Sequence, residues 1–427
     1  MTNGLLRLTR LGGLPLLKIF SVFLRLNFPM NNLNRRLFLG YSASGLLGTV
    51  AASSLPWAVA SRSSAAVWDE SIDPAKADLI YRSKAPRNAE PRLDKLVEDW
   101  ITPNSQFYIR SHSANPHVAG DFTVSIEGMV EQPMSMTVAE LVGKFPKSSC
   151  TCTVSCAGIR RYELMKVKPI KGVAWQEGPI GNAVWSGVRL SDVLKAAGVK
   201  PGASHVWFEG ADEIVDGESK YPFGGSVPMS KLMEEDERIP GVLLATHMNG
   251  EPLLPDHGAP IRTIVPGYIG ARCVKWLRKI VVSDKPSPNH YLADAYKMVY
   301  SGSRIELDET APIYRYPVNA ALCSADHKDG KWNLKGYALP TGHKECSISK
   351  VEISTDNGNS WIQAKLGSQV GEFCWQFWSA TVTIANSESD ICVRATDSLG
   401  NTMPETVPWN PKGYLYNAWH RVPAKSI

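Results

Sequence analysis

The segment TCTVSCAGIRRYE, residues 151–163, contains two cysteines, Cys152 and Cys156, and the adjacent arginines Arg160 and Arg161. A thiolate is a soft ligand that suits a soft metal or an electrophile. Paired guanidinium groups instead suit an oxyanion, which they bind through parallel hydrogen bonds. A site that needs both groups would bind a metal and a small inorganic anion together.

Three of the chain's eight cysteines, Cys150, Cys152 and Cys156, fall within seven residues. The cysteine spacings contain neither a CxxCH motif for covalent haem nor paired CxxC knuckles for zinc. Three close thiols could ligate a metal or a cluster, but alternation along a strand would scatter them. We therefore expect one functional thiol and two buried bystanders. Cys346 and Cys392 could form a bridge between opposite sheets of a C-terminal sandwich, or remain two buried free thiols.

The N-terminal region differs in charge from the rest of the chain. The formal net charge is +5, but residues 1–60 carry six of the 46 Lys and Arg residues and no Asp or Glu. The remainder is near neutral, which argues against a nucleic-acid partner. The pair Arg35–Arg36, a weakly apolar Gly/Ser/Ala-rich run and the small residues at 58–60 predict a twin-arginine export signal, and hence a periplasmic protein. Met30 is the start that gives this signal its usual proportions.

The same run bears on membrane association. It is too short and too weakly apolar for a stable membrane span. An uncleaved N-terminal anchor is the alternative interpretation, and the export signal fits the pattern better. We therefore expect no stable membrane span in the mature protein.

The remaining chain predicts two architectures in succession. Residues 61–100, rich in charge and proline, indicate a lead-in that runs along the surface. Short β-branched runs then alternate with short helical stretches, which predicts an α+β domain without a nucleotide-binding motif. After a linker at roughly 285–315, alternating strands joined by Asn-Gly and Leu-Gly-Asn turns predict an all-β immunoglobulin-like sandwich. We place the two domains at residues 61–295 and 296–427.

Six blocks of sequence, spread over nearly the whole mature chain, are typical of one enzyme family. They are FYIRSH, SCAGIRRYE, GPIGNAVWSGVRL, NGEPLLPDHGAPIRTIVPGYIGARCVKWL, DAYK and VRATDSLGNTMPE…NAWHRV. In this order they resemble the sulfite oxidase family of molybdopterin enzymes. The resemblance implies a mixed α+β molybdopterin-binding domain, an immunoglobulin-like dimerisation domain, a homodimer, and oxidation of sulfite to sulfate by oxygen-atom transfer.

The resemblance also implies roles for individual residues. Cys156 is the implied molybdenum ligand, beside a pterin dithiolene, whereas Cys150 and Cys152 match no family ligand. The residues implied for the substrate anion are Arg110, Arg161, Trp175 as an apolar wall, Tyr296 as a donor, and Lys412. Those implied for the cofactor are Phe107, Arg110, His112, Asp212, His257, Arg262, Cys273, Val274 and Lys275. Without the family, His257 could be an ordinary turn residue, and Arg262 and Lys275 could be solvated charges. Arg160 could be a structural ion-pair partner.

The chain departs from the family pattern at three positions. Ile159 and Ser111 stand where relatives often carry Asn, and both changes reduce the polar capacity near the site. Lys412 stands where several relatives carry an arginine that binds the substrate. Lysine keeps the charge but loses the bidentate fork, so we expect weaker anion binding or a different substrate preference.

The route of the electrons is the last inference from the sequence. The chain has no haem motif, no flavin fingerprint and no cluster-binding cysteine set, which predicts an external acceptor, with a c-type cytochrome as the candidate. Two alternatives stay open. One is reduction of another oxyanion or an S-oxide; the other is a non-catalytic exported β-sandwich scaffold. The block Cys156–Arg161 argues against the scaffold, and Arg161, Trp175 and Tyr296 favour sulfite.

Overall fold

The computed structural model describes residues 74–118 and 120–427. These residues belong to one compact unit. The predicted export signal, residues 1–60, lies outside the described residues. In the part of the chain that the structure describes, none of the helices has the length and apolar character needed to cross a membrane.

Strands make up most of the regular structure. In chain order they are β1 (Ile80–Ser83), β2 (Asn88–Glu90), β3 (Ile109–Arg110), β4 (Thr123–Gly128), β5 (Met134–Thr137), β6 (Lys147–Ser155), β7 (Ile180–Arg189), β8 (His205–Gly210), β9 (Ile214–Asp216), β10 (Ser219–Tyr221), β11 (Gly224–Pro228), β12 (Leu243–Met248), β13 (Glu251–Pro252), β14 (Arg262–Ile264), β15 (Leu277–Ser283), β16 (Asn319–Lys328), β17 (Lys331–Leu339), β18 (Ile348–Ser354), β19 (Ile362–Gln363), β20 (Lys365–Leu366), β21 (Gln376–Val382), β22 (Asp390–Asp397) and β23 (His420–Pro423).

The helices are short. They are α1 (Leu93–Leu96), α2 (Val138–Lys144), α3 (Arg161–Val167), α4 (Leu190–Ala197), α5 (Met229–Leu232) and α6 (Arg304–Glu309), with a π-helix at Tyr291–Ala295 and 3-10 turns at Pro74–Lys76, Pro255–His257, Gly270–Arg272 and Ala424–Ser426. The π-helix and α6 both lie in the stretch that the sequence predicted as a linker.

Two larger sheets form the frame of the first domain. One has the strand order β11-β8-β15-β4-β5, and its β15–β4 pair is parallel. The other has the order β13-β12-β7-β6, with β14 also paired to β12. Their apolar faces share one core, in which Trp185 and Ile280 are fully buried. The prediction of a mixed α+β domain is confirmed.

The longest pair of strands in this frame leads directly to the cysteine–arginine segment. β6 pairs antiparallel with β7 from Lys147 to Ser155. The chain then makes a tight turn, in which the N–H of Ile159 donates to the carbonyl of Cys156 (3.1 Å). Arg160 has a positive φ of 59°, and α3 begins at the next residue. The turn thus places Cys156 and Arg161 just beyond the buried C-terminal half of β6.

The sequence predicts that residues 61–100 run along the surface as a lead-in. For residues 74–100, the part that the structure describes, this expectation is wrong. β1, β2 and β3 form a sheet of their own, in which Asn88 pairs with Arg110. Lys76 and Glu90 are buried despite their charge. Each has polar partners supplied by distant parts of the chain, and local composition gives no sign of such partners.

The second domain is a sandwich of two four-stranded sheets. Their orders are β16-β17-β21-β20 and β19-β18-β22-β23, and the enclosed core includes Val351 and Trp378. The prediction of an immunoglobulin-like sandwich is confirmed. Cys346 and Cys392 are both free thiols. The idea that they face each other from opposite sheets is wrong, because Cys392 lies on β22, the neighbour of the strand β18 that follows Cys346.

Arg160 joins the two domains. Its guanidinium is fully buried, pairs with Glu163 (2.6 Å), and donates to Asn319 Oδ1 (3.0 Å) and the carbonyl of Ala418 (2.8 Å) in the second domain. It therefore has the structural role that the sequence left open for it.

Glu177 forms a second polar link between the domains. It accepts hydrogen bonds from Nε2 of His420 (3.0 Å) and from the hydroxyl of Tyr162 (2.8 Å). The N–H of Leu322 donates to Nδ1 of the same histidine (3.0 Å), which leaves the Nε2 proton for the carboxylate. Burial alone would raise the pKa of Glu177, but these hydrogen bonds and the charge of Arg160 lower it to about 2.

We expect Glu177→Gln to reduce stability in a pH-dependent way. The lowered pKa means that the carboxylate stabilises the fold above about pH 4.5 and loses that effect as the pH falls toward 2. The variant should lose on the order of 3 kcal/mol of unfolding free energy at neutral pH. Chemical denaturation across this pH range measures it, with Glu98→Gln, an exposed ion-pair partner of Lys95, as the control. A loss that does not depend on pH would contradict the prediction.

Candidate active site

A pocket with an empty volume of about 700 Å³ opens beyond the end of β6. Ten of the residues predicted for the site line it, namely Phe107, Arg110, His112, Cys156, Asp212, His257, Arg262, Cys273, Lys275 and Tyr296. The structure thus brings together residues that are spread over nearly two hundred positions of the sequence.

Arg161 does not line this pocket, but it is connected to it. Its guanidinium lies 5.3 Å from the ring centroid of Tyr414, and that ring stacks on Tyr296 at 5.0 Å. Nε donates to the carbonyl of Gly413 (3.1 Å). A Cβ at Gly413 would lie 2.6 Å from Cγ of Arg161, and the glycine has a φ of +63°, so only glycine fits this contact.

The other three predicted residues also lie outside the lining. Trp175 is fully buried, and its indole N–H has no hydrogen-bond partner among the described residues. Val274 is buried, and its N–H donates to Thr263 Oγ1 (2.7 Å). The ammonium group of Lys412 is turned to the carbonyl of Asp294 (3.3 Å). The roles predicted for these residues stay predictions.

The three neighbouring thiols occupy two different environments. Cys156 follows the strand and borders the pocket, where the N–H of Gly158 donates to its Sγ (3.4 Å). Cys150 and Cys152 are buried on β6. They share one face of the strand because they are two positions apart, so the expected scattering is wrong for this pair. A hydrogen bond with Cys150 and burial raise the pKa of Cys152, which keeps it an inert thiol.

Arg110, His112 and Tyr296 form one hydrogen-bonded group. Nε2 of His112 lies 2.9 Å from Nη2 of Arg110 and 3.0 Å from the hydroxyl of Tyr296. Asn88 on β2 orients the arginine by accepting from Nη1 (3.1 Å). Burial, with the charge of Arg110 in addition, lowers the pKa of His112 well below its usual value. The imidazole is therefore neutral, so Nδ1 can accept from Nη2 of Arg110 (3.2 Å) while the Nε2 proton is donated to the hydroxyl oxygen of Tyr296.

Two further cations, Lys275 and Arg262, line the pocket. Lys275 donates to Ser111 Oγ (2.7 Å) and to the carbonyl of Asp256 (3.0 Å), and burial lowers its pKa to about 7. Arg262 donates to the carbonyls of His257 (2.9 Å) and Cys273 (3.1 Å). Both cations are thus held by neutral oxygens.

Lys76 lies behind this wall. Its ammonium group contacts Nε2 of His257 (2.8 Å) and the carbonyl of Phe107 (2.9 Å). Burial, followed by the charge of Lys76, lowers the pKa of His257 well below its usual value. Asp212, on another side, accepts from the N–H of Phe223 (3.1 Å) and the hydroxyl of Ser113 (3.2 Å).

Family models match both domains. The oxidoreductase molybdopterin binding domain matches residues 112–291, and the Mo-co oxidoreductase dimerisation domain matches residues 307–427.

Full-length relatives show the same family. The sulfite oxidase of Arabidopsis thaliana is 34% identical over 378 residues, which cover 82% of this chain and 94% of that protein. The chain belongs to the sulfite oxidase family. It is therefore a molybdenum oxidoreductase of the sulfite oxidase type.

Other members and neighbours extend the comparison. The mitochondrial sulfite oxidase of Drosophila melanogaster is 37% identical over 369 residues, but the chain spans only 63% of that protein's length. Nitrate reductase [NADH] 1 of Phaseolus vulgaris is 36% identical over 79% of this chain and 41% of that protein. The sulfane dehydrogenase SoxCD of Paracoccus pantotrophus has the same fold, with a TM-score of 0.67 and 24% identity over 86% of this chain and 92% of that chain.

The residues of the pocket fit the molybdenum cofactor of the sulfite oxidase family. Cys156 offers a soft sulfur donor to the pocket. Arg262 and Lys275 offer buried positive charge, and their hydrogen bonds go to carbonyl and hydroxyl oxygens. A phosphate group would supply the missing negative charge and raise the fraction of charged Lys275. Cys156 would hold the metal, and Arg262, Lys275 and His257 would hold the pterin phosphate.

Several residues of the site were missed from the sequence. They are Asn88, Tyr108, Asp256, Trp276 and Tyr414. Three of them stand next to predicted residues, at Phe107, His257 and Lys275, and that adjacency was an available signal. Ser111, one of the departures from the family pattern, retains polar function because its hydroxyl accepts from Lys275.

Metal analysis tests the assignment of Cys156. We expect Cys156→Ala to lose most of the bound molybdenum, because the soft ligand of the metal is gone. Cys150→Ala, which removes a buried thiol from the same segment, should keep its molybdenum at the wild-type ratio. Molybdenum per chain is measured by plasma mass spectrometry, with the melting temperature of each variant as a check on folding. Equal molybdenum loss in both variants would contradict the assignment.

Proposed function

We propose that this enzyme oxidises sulfite to sulfate by oxygen-atom transfer at a molybdenum cofactor held by Cys156. The observation that carries the proposal is the placement of a thiol, an arginine and a tyrosine hydroxyl around one buried space, with a second arginine joined to them by an aromatic ring. Arg110 and Tyr296 line the pocket with Cys156, and Arg161 is joined to them through Tyr414. Sulfite oxidases with 34–37% identity over most of this chain support the same substrate.

The protein's own residues bind and orient the substrate anion. Arg110 and Arg161 each offer a planar, positively charged group whose parallel donors suit an oxyanion. The neutral His112 contacts both Arg110 and the Tyr296 hydroxyl, and with its proton on Nε2 it donates to the phenol oxygen, which leaves the phenol proton for the anion. Burial of these groups strengthens their electrostatic effect because competing water is excluded. When bound, the cofactor supplies the two-electron oxidation and the oxygen atom.

We further propose an external c-type cytochrome as electron acceptor, export by the twin-arginine route to the periplasm, and assembly as a homodimer. The lack of a CxxCH motif in the sequence supports an external haem carrier. The Arg35–Arg36 pair in the leader supports the export route. The match to a dimerisation domain supports a symmetric dimer through an isologous interface.

Reduction of another oxyanion is the second candidate function. It is favoured by one observation, the 36% identity to a plant nitrate reductase over most of this chain. Tyr296, Arg110 and Arg161 are compatible with either anion, so turnover rates have to discriminate between the two functions.

A steady-state assay discriminates between the two functions. We expect the purified holoenzyme to reduce ferricyanide and cytochrome c with sulfite as the electron donor. Nitrate and S-oxides, offered with a reduced dye, should turn over more slowly. Faster turnover of nitrate or an S-oxide than of sulfite would support the second candidate and contradict the first.

Lys412 provides a test of substrate affinity. Its amine is turned to a backbone carbonyl, and burial lowers its pKa, whereas arginine would keep its charge and offer two parallel donors. We expect Lys412→Arg to lower the KM for sulfite about fivefold, which corresponds to roughly 1 kcal/mol for a charge-assisted hydrogen bond. Lys412→Gln, the matched control without charge, should raise the KM. An unchanged KM in Lys412→Arg would show that this position does not contact the anion.

A further inference from the structure

A short turn of the second domain carries Tyr414 into the site. Asn410 is buried and clamps this turn through both ends of its amide, accepting from the N–H of Tyr414 (3.1 Å) and donating to its carbonyl (3.1 Å). The N–H of Gly413 closes the turn on the carbonyl of Asn410 (3.1 Å). Two hydrogen bonds from the Asn410 amide thus hold the backbone of Tyr414, and a third closes the turn at Gly413.

The ring of Tyr414 contacts two residues that we assign to the anion. It stacks on Tyr296 with a centroid distance of 5.0 Å and an interplanar angle of 20°. The guanidinium of Arg161 lies 5.3 Å from its centroid. A single aromatic ring therefore joins a cation from the first domain to the phenol that follows the π-helix.

The remaining contacts of Arg161 show which of its N–H donors is not used within the protein. Nε donates to Gly413 and Nη1 donates to the carbonyl of Val173 (3.0 Å). Within the described residues Nη2 makes no hydrogen bond, and it is directed toward Gly158, where an added Cβ would lie 2.5 Å away. Gly158 is two residues from Cys156. The unused donor edge thus faces the turn that carries the proposed metal ligand.

An aromatic ring stabilises this guanidinium without neutralising it. Arg161 is buried, and its hydrogen bonds go to carbonyls, not to a carboxylate. A carboxylate would compete with the substrate for the positive charge. A cation–π contact contributes about 0.5–2 kcal/mol and leaves the hydrogen-bonding edge available.

We propose that Tyr414 is a positioning residue, whose ring holds the Arg161 guanidinium and the Tyr296 phenol in the arrangement that binds the substrate oxyanion. The proposal rests on the proposed function only in taking that anion to be sulfite. The ring contacts hold Arg161 and Tyr296 in place, and the hydroxyl of Tyr414 is not required for this role. Because burial raises the pKa of Tyr414, the phenol stays protonated and adds no charge of its own.

The test compares Tyr414→Leu with Tyr414→Phe in the molybdenum-loaded enzyme. Leucine removes both ring contacts, and phenylalanine keeps them. We expect Tyr414→Leu to raise the KM for sulfite and the Kd for inorganic sulfate about tenfold, as loss of a desolvated cation–π contact predicts, with a smaller change in kcat. Tyr414→Phe should stay within about twofold of wild type in all three quantities, because its ring makes the same contacts. Molybdenum content and melting temperature of each variant are measured alongside.

A second measurement applies even where the leucine variant does not fold. Progressive fluorination of a phenylalanine at position 414 keeps its shape and withdraws charge from the ring face, so sulfate binding by calorimetry should weaken stepwise. Sulfate affinity that is unchanged by fluorination, or a phenylalanine variant as defective as the leucine variant, would overturn the proposal. Sulfate binding needs no turnover. A wild-type enzyme that binds sulfate but does not oxidise sulfite would therefore contradict the proposed function and leave Tyr414 to be judged by binding alone.

Discussion

Burial of positive charge is the constraint on which the rest of this site depends. Arg110, Arg262 and Lys275 line one pocket, and their hydrogen bonds go mostly to neutral oxygens of carbonyl, amide and hydroxyl groups. Burial lowers the pKa of Lys275 to about 7, although the carboxylates of Asp256 and Asp212 oppose this shift. The folded protein is therefore prepared to bind anions. A phosphate-bearing cofactor and a small oxyanion would both meet that need.

The adjacent arginines divide this task between structure and chemistry. Arg160 has a left-handed backbone conformation, which turns its side chain toward the second domain and its carbonyl partners there. Arg161, one residue further, lies on the first turn of α3 and is directed to the site. The turn that carries Cys156 is thus held to the second domain by Arg160, and Arg161 follows it at the start of α3. Disturbing the domain contact would move the proposed metal ligand as well.

The sandwich domain is consequently part of the site and does more than provide a surface for association. It contributes the turn with Lys412, Gly413 and Tyr414, and Gly413 permits the approach of Arg161 because it has no Cβ. Two of these three residues have different proposed roles in substrate affinity. Lys412 would supply charge without bidentate geometry, whereas Tyr414 would maintain the geometry of a neighbouring arginine. Variation in this turn can therefore tune anion binding while the cofactor pocket stays the same.

Much of the fold and most of the pocket could be predicted from the sequence. The alternation of β-branched residues and the turn dipeptides are local signals, so they identified the α+β domain and the sandwich. The ordered motifs identified ten residues that do line one pocket. Local signals failed where partners are distant. The buried lead-in and the sheet positions of Cys346 and Cys392 depended on strand pairing and long-range packing. The shared face of Cys150 and Cys152 follows from their spacing of two, a local signal that was misread.

The sequence by itself determined which chemical groups are present, namely a soft thiolate ligand, permanent cations and a family of motifs in order. Only the tertiary structure decided which groups meet. It separated Arg160 from Arg161, kept Cys152 inert while leaving Cys156 at the pocket, and carried Tyr414 across from the second domain to the rings and charges it contacts. The physical reason is that such contacts join residues up to about two hundred and fifty positions apart, as in the bond between Arg161 and Gly413. Their energies depend on burial and distance, which no local pattern of residues encodes.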